Sequence, residues 1–140
     1  MLVNQLAVFL ENRKGRLKEL AGVLAKEKID LLTLSIADTE DFGIVRFITT
    51  DNDRALSALR NAGFTVTESD LIGIEIGDVP GALSNVLKVL ADGDIGIEYL
   101  YSYARTEEHK AIILFKVKEV GKALDVLSRA DVRVLDRTLE

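Results

Sequence analysis

The chain has no cysteine and no tryptophan, and only one each of proline, histidine and methionine. Without cysteine there can be no disulfide, no thiolate nucleophile and no thiolate-held zinc or iron–sulfur site. The lone histidine, His109, stands in the charged run Thr106 to Lys110, a pattern of solvated surface rather than of a metal cage or a Ser/His/Asp relay. No apolar stretch reaches the roughly 18 residues of a membrane span, and the opening MLVNQLAVFLEN lacks the basic start and long apolar run of an export signal. Basic residues are in the minority, 18 against 23 acidic for a net charge of −5, which opposes affinity for phosphate backbones. These absences lead to the expectation of a soluble cytoplasmic protein with no cofactor, no metal, no nucleic-acid partner and no membrane partner.

What the chain has in quantity is Val, Ile and Leu, within an apolar fraction of 48%. That supply suffices for a buried core, and no Gly/Ser-rich, Pro-rich or low-complexity stretch interrupts it. The core supply is also repetitive. DVPGALSNVL, Asp78 to Leu87, echoes ENRKGRLKEL, Glu11 to Leu20. With Gly15 laid on Gly81, Leu17, Leu20, Leu24, Ile29, Leu31 and Leu34 fall on Leu83, Val86, Leu90, Ile95, Ile97 and Leu100 without a gap. Two extra residues near Thr106 to His109 restore the register, and Ile44, Phe47, Ala55, Leu59 and Val66 then meet Ile112, Phe115, Ala123, Leu127 and Val134. A unit of about 65 to 70 residues is therefore duplicated, which divides the chain into residues 1–69 and 70–140. Each half is close to the lower size for an independent core, so the two are expected to need one another.

Hydrophobic period gives each unit its elements. Leu6, Val8 and Leu10, like Ile72, Ile74 and Ile76, alternate as a strand with one buried face does. Leu17, Leu20 and Leu24, like Leu83, Val86 and Leu90, follow helical spacing. Leu31 to Ala37 with Phe42 to Thr50, and Ile97 to Arg105 with Ala111 to Val117, predict hairpins, the first turning through Asp38 to Asp41. Asp51, Asn52 and Asp53 supply a cap for a second helix that ends at Asn61-Ala62-Gly63, before a short strand Phe64 to Ser69. The order β-α-β-β-α-β, twice, predicts an α+β fold of two ferredoxin-like units, antiparallel sheets with helices on one face. Because Thr67 to Asp70 runs straight into Leu71 to Ile76, an edge-to-edge continuous sheet is the expected arrangement.

These features resemble the ACT domain, a small regulatory module that binds amino acids. The resemblance rests on a strand ending in a polar residue, x-Pro-Gly-x-Leu at the first helix, Ile/Val-x-Ile at the start of the second strand, and the full strand order. It covers nearly the whole chain in two copies, FLENRKGRL opening the first and VPGAL the second. The chain is similar in particular to small proteins made of two ACT units and nothing else. The first copy departs from the pattern in having Lys14 where the second has Pro80.

The resemblance implies a free amino acid as ligand, held in the seam where the first loop of one unit works with the start of the second strand of the other. Carried over residue by residue, Asn12, Arg13, Lys14, Gly15, Arg16 and Leu17 would face Gly96 and Ile97. Asp78, Val79, Pro80, Gly81, Ala82 and Leu83 would face Asp30 and Leu31. Physical chemistry supports the choice, since a helix N-terminus offers unpaired amides and a partial positive charge to a carboxylate. Asn12 or Asp78 could accept hydrogen bonds from an ammonium group, and Arg13, Lys14 and Arg16 make the first seam the better seat for an anion.

Plainer readings stand beside these. Gly15 and Gly81 suit any tight strand-to-helix turn, Pro80 suits any first helical turn, and Asn12 or Asp78 could merely cap a helix. Tyr99, Tyr101 and Tyr103 recur every second residue and would share one face of a strand, either over a partner subunit in a homodimer or beside the ligand. The pairs Asp51/Asp53 and Glu107/Glu108 fall at a cap and in a turn, so no general acid and base are assembled. The sequence therefore points to a non-enzymatic amino-acid sensor. The alternative is the regulatory subunit or interaction module of a target enzyme of amino-acid biosynthesis, of acetolactate-synthase-like kind. A small enzyme on a ferredoxin-like scaffold comes third.

Overall fold

The computed structural model describes residues 2–38, 41–105, 108–136 and 139. Thr39, Glu40, Thr106 and Glu107, which the sequence places in the hairpin turns, lie outside the described residues. The element order is β1 (Leu2–Glu11), α1 (Arg16–Lys26), β2 (Leu31–Asp38), β3 (Phe42–Thr49), α2 (Asn52–Asn61), β4 (Val66–Gly77), α3 (Ala82–Asp92), β5 (Ile97–Arg105), β6 (Lys110–Val117), α4 (Val120–Arg129) and β7 (Arg133–Val134). This is βαββαβ twice, a tandem ferredoxin-like fold. The chain divides into two compact units, Asn4–Ser69 and Asp70–Leu139, the latter together with the first residues of the chain up to Val3.

In the first unit the strands lie in the order β2-β3-β1-β4. The antiparallel register pairs Leu6 with Phe47 and Val8 with Val45, and pairs Leu34 with Phe47 and Ile36 with Val45. Directly opposed residues share a face, so Leu6, Val8, Val45 and Phe47 form one apolar surface. Leu20 and Leu24 of α1 and Ala55 and Leu59 of α2 close over it, all at most 1% exposed. Each helix thus contributes a buried i, i+4 pair, as its sequence spacing predicts.

The second unit repeats the plan with the order β5-β6-β4-β7. Ile72 pairs with Phe115 and Ile74 with Ile113, under Val86 and Leu90 of α3 and Ala123 and Leu127 of α4. The opposite face of this unit is also apolar where Leu135 lies. The Leu135 amide donates to the Gly73 carbonyl at 2.8 Å, and a Cβ on Gly73 would stand 2.6 Å from the Leu135 side chain. A side chain at position 73 would therefore have to push the Leu135 side chain aside.

Two details differ from the sequence reading. The strands expected at Phe64 to Ser69 and Leu71 to Ile76 are one strand, β4. No breaker separates them, and Ser69 and Asp70 simply continue the extended chain. Val66 belongs to the first core and Ile72 and Ile74 to the second. The tyrosine row is also broken. The register shifts between Ser102, opposite Ile113, and Ala104, opposite Ile112, so a bulge at Tyr103 removes it from the alternation that holds Tyr99 and Tyr101.

Candidate functional site

The two first-helix entrances share one geometry. Gly15 (φ 88°, ψ −7°) and Gly81 (φ 90°, ψ −13°) are the N-cap residues of α1 and α3, both left-handed, and neither helix has a side-chain cap. A side chain at either position would be strained in this conformation. The strand end before each turn is tied down: the Asn12 amide donates to the Asp41 carbonyl at 2.9 Å and the Asp78 amide to the His109 carbonyl at 2.8 Å. Each turn then closes on itself, Arg16 N to Arg13 O at 3.1 Å and Ala82 N to Val79 O at 3.2 Å. By contrast α2 starts with an ordinary cap, the Asp51 carboxylate accepting from the Arg54 amide at 3.2 Å. The first-turn amides of α1 and α3 have no such side chain over them, and the helix dipole adds its partial positive charge.

The charges around the two entrances differ. At the first, Arg16 Nη1 lies 2.6 Å from Glu19 Oε2 and its guanidinium carbon lies 4.1 Å above the Phe64 ring. Its Nε is buried without a partner. Arg13 reaches Glu19 at 3.6 Å and Glu11 at 3.7 Å. The hydrogen bond from Arg16, followed by the charges of Arg13 and Arg16, holds the Glu19 carboxyl below its ordinary value in spite of some desolvation. Both arginines therefore already face carboxylates of their own unit.

At the second entrance Val79 and Ala82 replace the two arginines, and a cleft of about 420 Å³ lies beside the helix. Of the candidate residues it is lined by Asp78, Val79, Ala82 and Leu83; Ile76, Gly77, Ser102, Tyr103, Ala111 and Ile113 complete the walls. Pro80 and Gly81 shape the turn without lining the cleft. The bulge falls at Tyr103, itself one of the lining residues. Nothing in the sequence signals a bulge, so Tyr103 was legible only as part of a row. Ser102 carried a signal, since it is polar at a position where Leu34, Ile36 and Leu100 set an apolar pattern.

The starts of the second strands also diverge. In the first unit the Thr50 amide donates to the Asp30 carbonyl at 3.0 Å and the Asp30 amide to Thr50 Oγ1 at 3.2 Å, which zips the chain shut ahead of Leu31. In the second, Gly96 stands in the place of Asp30 and Lys118 in that of Thr50. There Gly96 and Ile97 line a cleft of about 270 Å³ with Asp94, Glu98, Lys118 and Glu119. Lys118 and Glu119 escape a search centred on the glycine turns, because they lie past the end of β6, where Glu119 is the N-cap of α4. Asn12, Arg13, Lys14, Gly15, Arg16, Leu17, Asp30 and Leu31 all belong to the first unit. Among the described residues no group of three His, Cys, Asp or Glu is placed to hold a metal, and no helix is long and apolar enough to cross a membrane.

Comparison with known proteins bears directly on these features. The family model described as an ACT domain pair matches residues 1–138. A crystal structure of a protein from Bacteroides thetaiotaomicron is 42% identical, with a TM-score of 0.89, over 96% of this chain and 92% of that one. The ligand-free regulatory subunit of aspartate kinase from Thermus thermophilus shares the fold at 15% identity and a TM-score of 0.65, over 92% and 93% of the two chains. The corresponding subunit from Thermus flavus does so at 16% and 0.62, over 94% of each. No curated protein matches the sequence. The duplicated βαββαβ unit, the two glycine-led helix entrances and the match over almost every residue have one explanation: the chain belongs to the ACT domain family, as an ACT domain pair.

Proposed function

We propose that this ACT pair is a regulatory protein that senses a free amino acid and does no chemistry of its own. The observation that carries the reading is the cleft of about 420 Å³ at the uncapped start of α3, with Asp78 on its wall. The first-turn amides and the dipole of an 11-residue helix suit a carboxylate, and Asp78 suits an ammonium group. The two attachments match the two ends of a zwitterion. Gly81 lets the ligand approach the backbone, since nothing lies within 4 Å of the position a Cβ would take.

Occupation of the cleft would order the α3 turn and the Ser102–Tyr103 bulge together, which offers a way to change what the protein presents to a target. The fold shared with regulatory subunits of aspartate kinase supports a target that is itself an enzyme of amino-acid metabolism. The test is a thermal-shift screen of the twenty amino acids. A cognate ligand raises Tm with the logarithm of its concentration, reaching about 2.7 kcal/mol of added stability at one hundred times Kd. A flat response to all twenty at millimolar concentration refutes the reading.

A further inference from the structure

We infer that the open edge of the first unit's sheet, β2, is where the protein pairs with a second copy of itself, strand to strand, and that the matching edge of the second unit, β5, is closed to such pairing. The inference goes beyond the amino-acid reading and does not depend on it. Among the described residues β2 has a strand on one side only, β3, and β5 has only β6. An edge strand leaves backbone donors and acceptors unpaired, and chains that stay apart guard such edges with lysine, proline, inward charge or a bulge.

β2 is poorly guarded. It reads LLTLSIAD, with no lysine, arginine or proline and its one charged residue at the end. Its ladder with β3 is irregular at Leu32 but runs unbroken from Thr33 to Asp38. Leu34 and Ile36 lie opposite Phe47 and Val45 and so point to the face that the helices cover, yet they are 45% and 47% exposed. β5 differs on each count. It carries Glu98 near one end and Arg105 at the other, its ladder breaks at both Glu98 and Tyr103, and Ser102 takes the place of Ile36. Of the two aliphatic positions only Leu100, 38% exposed, is repeated there.

The sequence of β2 also names the occupant. Pairing two copies antiparallel about a twofold axis at Ser35 sets Leu34 of each copy opposite Ile36 of the other, four aliphatic side chains on one face. Thr33 then meets Ala37 on the opposite face, and the helices of both first units stay on one side. A slip of one residue would set Leu34 against Ser35 and turn the two helix layers to opposite sides. Charge agrees with this register. Leu31 to Ala37 is uncharged, so no like charges meet along the strands, and the two Asp38 positions fall at opposite ends, roughly 20 Å apart. The same register on β5 would set Leu100 opposite Ser102 with Tyr101 on the axis, and no aliphatic quartet forms.

The experiment is equilibrium sedimentation of the full chain at micromolar concentrations, joined to disulfide trapping. A dimer is expected. Leu34→Lys should raise its dissociation constant at least about tenfold, and Leu100→Lys should leave it within about twofold. Both positions are exposed enough for a lysine head to reach water, so the fold and its melting temperature should be kept. The chain has no cysteine, so Ser35→Cys supplies a single thiol on an otherwise unaltered surface. Directly opposed residues of an antiparallel pair stand about 4.5–5.5 Å apart at Cα, within the roughly 4.4–6.8 Å that a disulfide spans. Mild oxidation should therefore link two Ser35→Cys chains, and should not link Thr33→Cys or Tyr101→Cys chains. A monomer at every concentration, a dimer that Leu34→Lys leaves unchanged, no linkage at Ser35→Cys, or linkage at Tyr101→Cys as ready as at Ser35→Cys overturns the inference while leaving the amino-acid reading intact.

Discussion

Phe9 and Phe42 stand in the first unit where Glu75 and Lys110 stand in the second. The two rings meet at 5.1 Å between centroids, tilted by 40°, although Phe9 is 53% and Phe42 42% exposed. Glu75, its side chain only 10% exposed, meets Lys110 at 3.3 Å and Arg133 at 3.4 Å. Both pairs bridge the same diagonal of an antiparallel ladder, so the backbone supplies a contact and leaves its chemistry open. A similar exchange occurs where the second helix of each unit begins. Asn52 accepts from the Thr49 amide and hydroxyl and donates to Asn4, all at 2.9 Å. Val120 and Val117 occupy the places of Asn52 and Thr49 and join the apolar core instead. Duplication has therefore kept the frame and changed the side-chain contacts built on it.

Where the frame itself is equal, equal damage is expected. Phe47 and Phe115 are paired, and both are at most 1% exposed. Phe47→Ala and Phe115→Ala should each cost about 3–5 kcal/mol, measured by urea unfolding. A difference beyond about 2 kcal/mol would show that the cores are not equivalent, which their shared burial denies. The next effect should separate the units. Asn52→Ala takes away the acceptor of the buried Thr49 amide and one of the two partners of its hydroxyl, which keeps the Asp51 amide, at about 1–3 kcal/mol. Val120→Ala shortens a half-buried aliphatic side chain and should cost less. Equal losses would mean that the polar network contributes no more than the valine that replaces it. Smaller again, and equal, should be Gly15→Ala and Gly81→Ala. Each forces a Cβ into left-handed geometry in otherwise open space, at about 1–2 kcal/mol. A large penalty at one alone would reveal a contact that the paired geometry does not contain.

The same comparison explains what was legible in the sequence. Leu20 and Leu24, or Ile72 and Ile74, announce their elements because burial of one face imposes a period, and the duplication supplied a second reading of every period. The Asp51 cap and the glycine turns were legible for a similar reason, since each residue type answers a local demand of the backbone. The larger cleft was legible only from one side. Asp78 and Ala82 follow from the helix entrance, whereas Ser102 and Tyr103 arrive by way of a bulge and a strand register that no local pattern encodes. Arg13 and Arg16 read from the sequence as open cations at the first entrance, because a count of cations does not say which carboxylates of the same unit already hold them. Glu11 and Glu19 do hold them.

That clamp gives the smallest expected effect and a sign that can be checked. Glu19 is lowered from its ordinary value of 4.5 by the hydrogen bond from Arg16 and by the charge of Arg13. A carboxyl depressed in the folded state adds stability above its unfolded value and loses it as pH falls through the folded one. Wild type should therefore exceed Glu19→Gln in urea midpoint at pH 7, and the gap should close toward pH 3. The site is open to solvent, so the gap should be small and should shrink further in salt. Asn85 holds the paired position in the second unit and cannot ionise, so Asn85→Gln should show no pH-dependent gap of this kind. A Glu19→Gln difference that persists unchanged at pH 3 would mean that Arg16 is held by packing on Phe64 alone. The position of Arg16 at the first entrance would then be set by the ring rather than by charge.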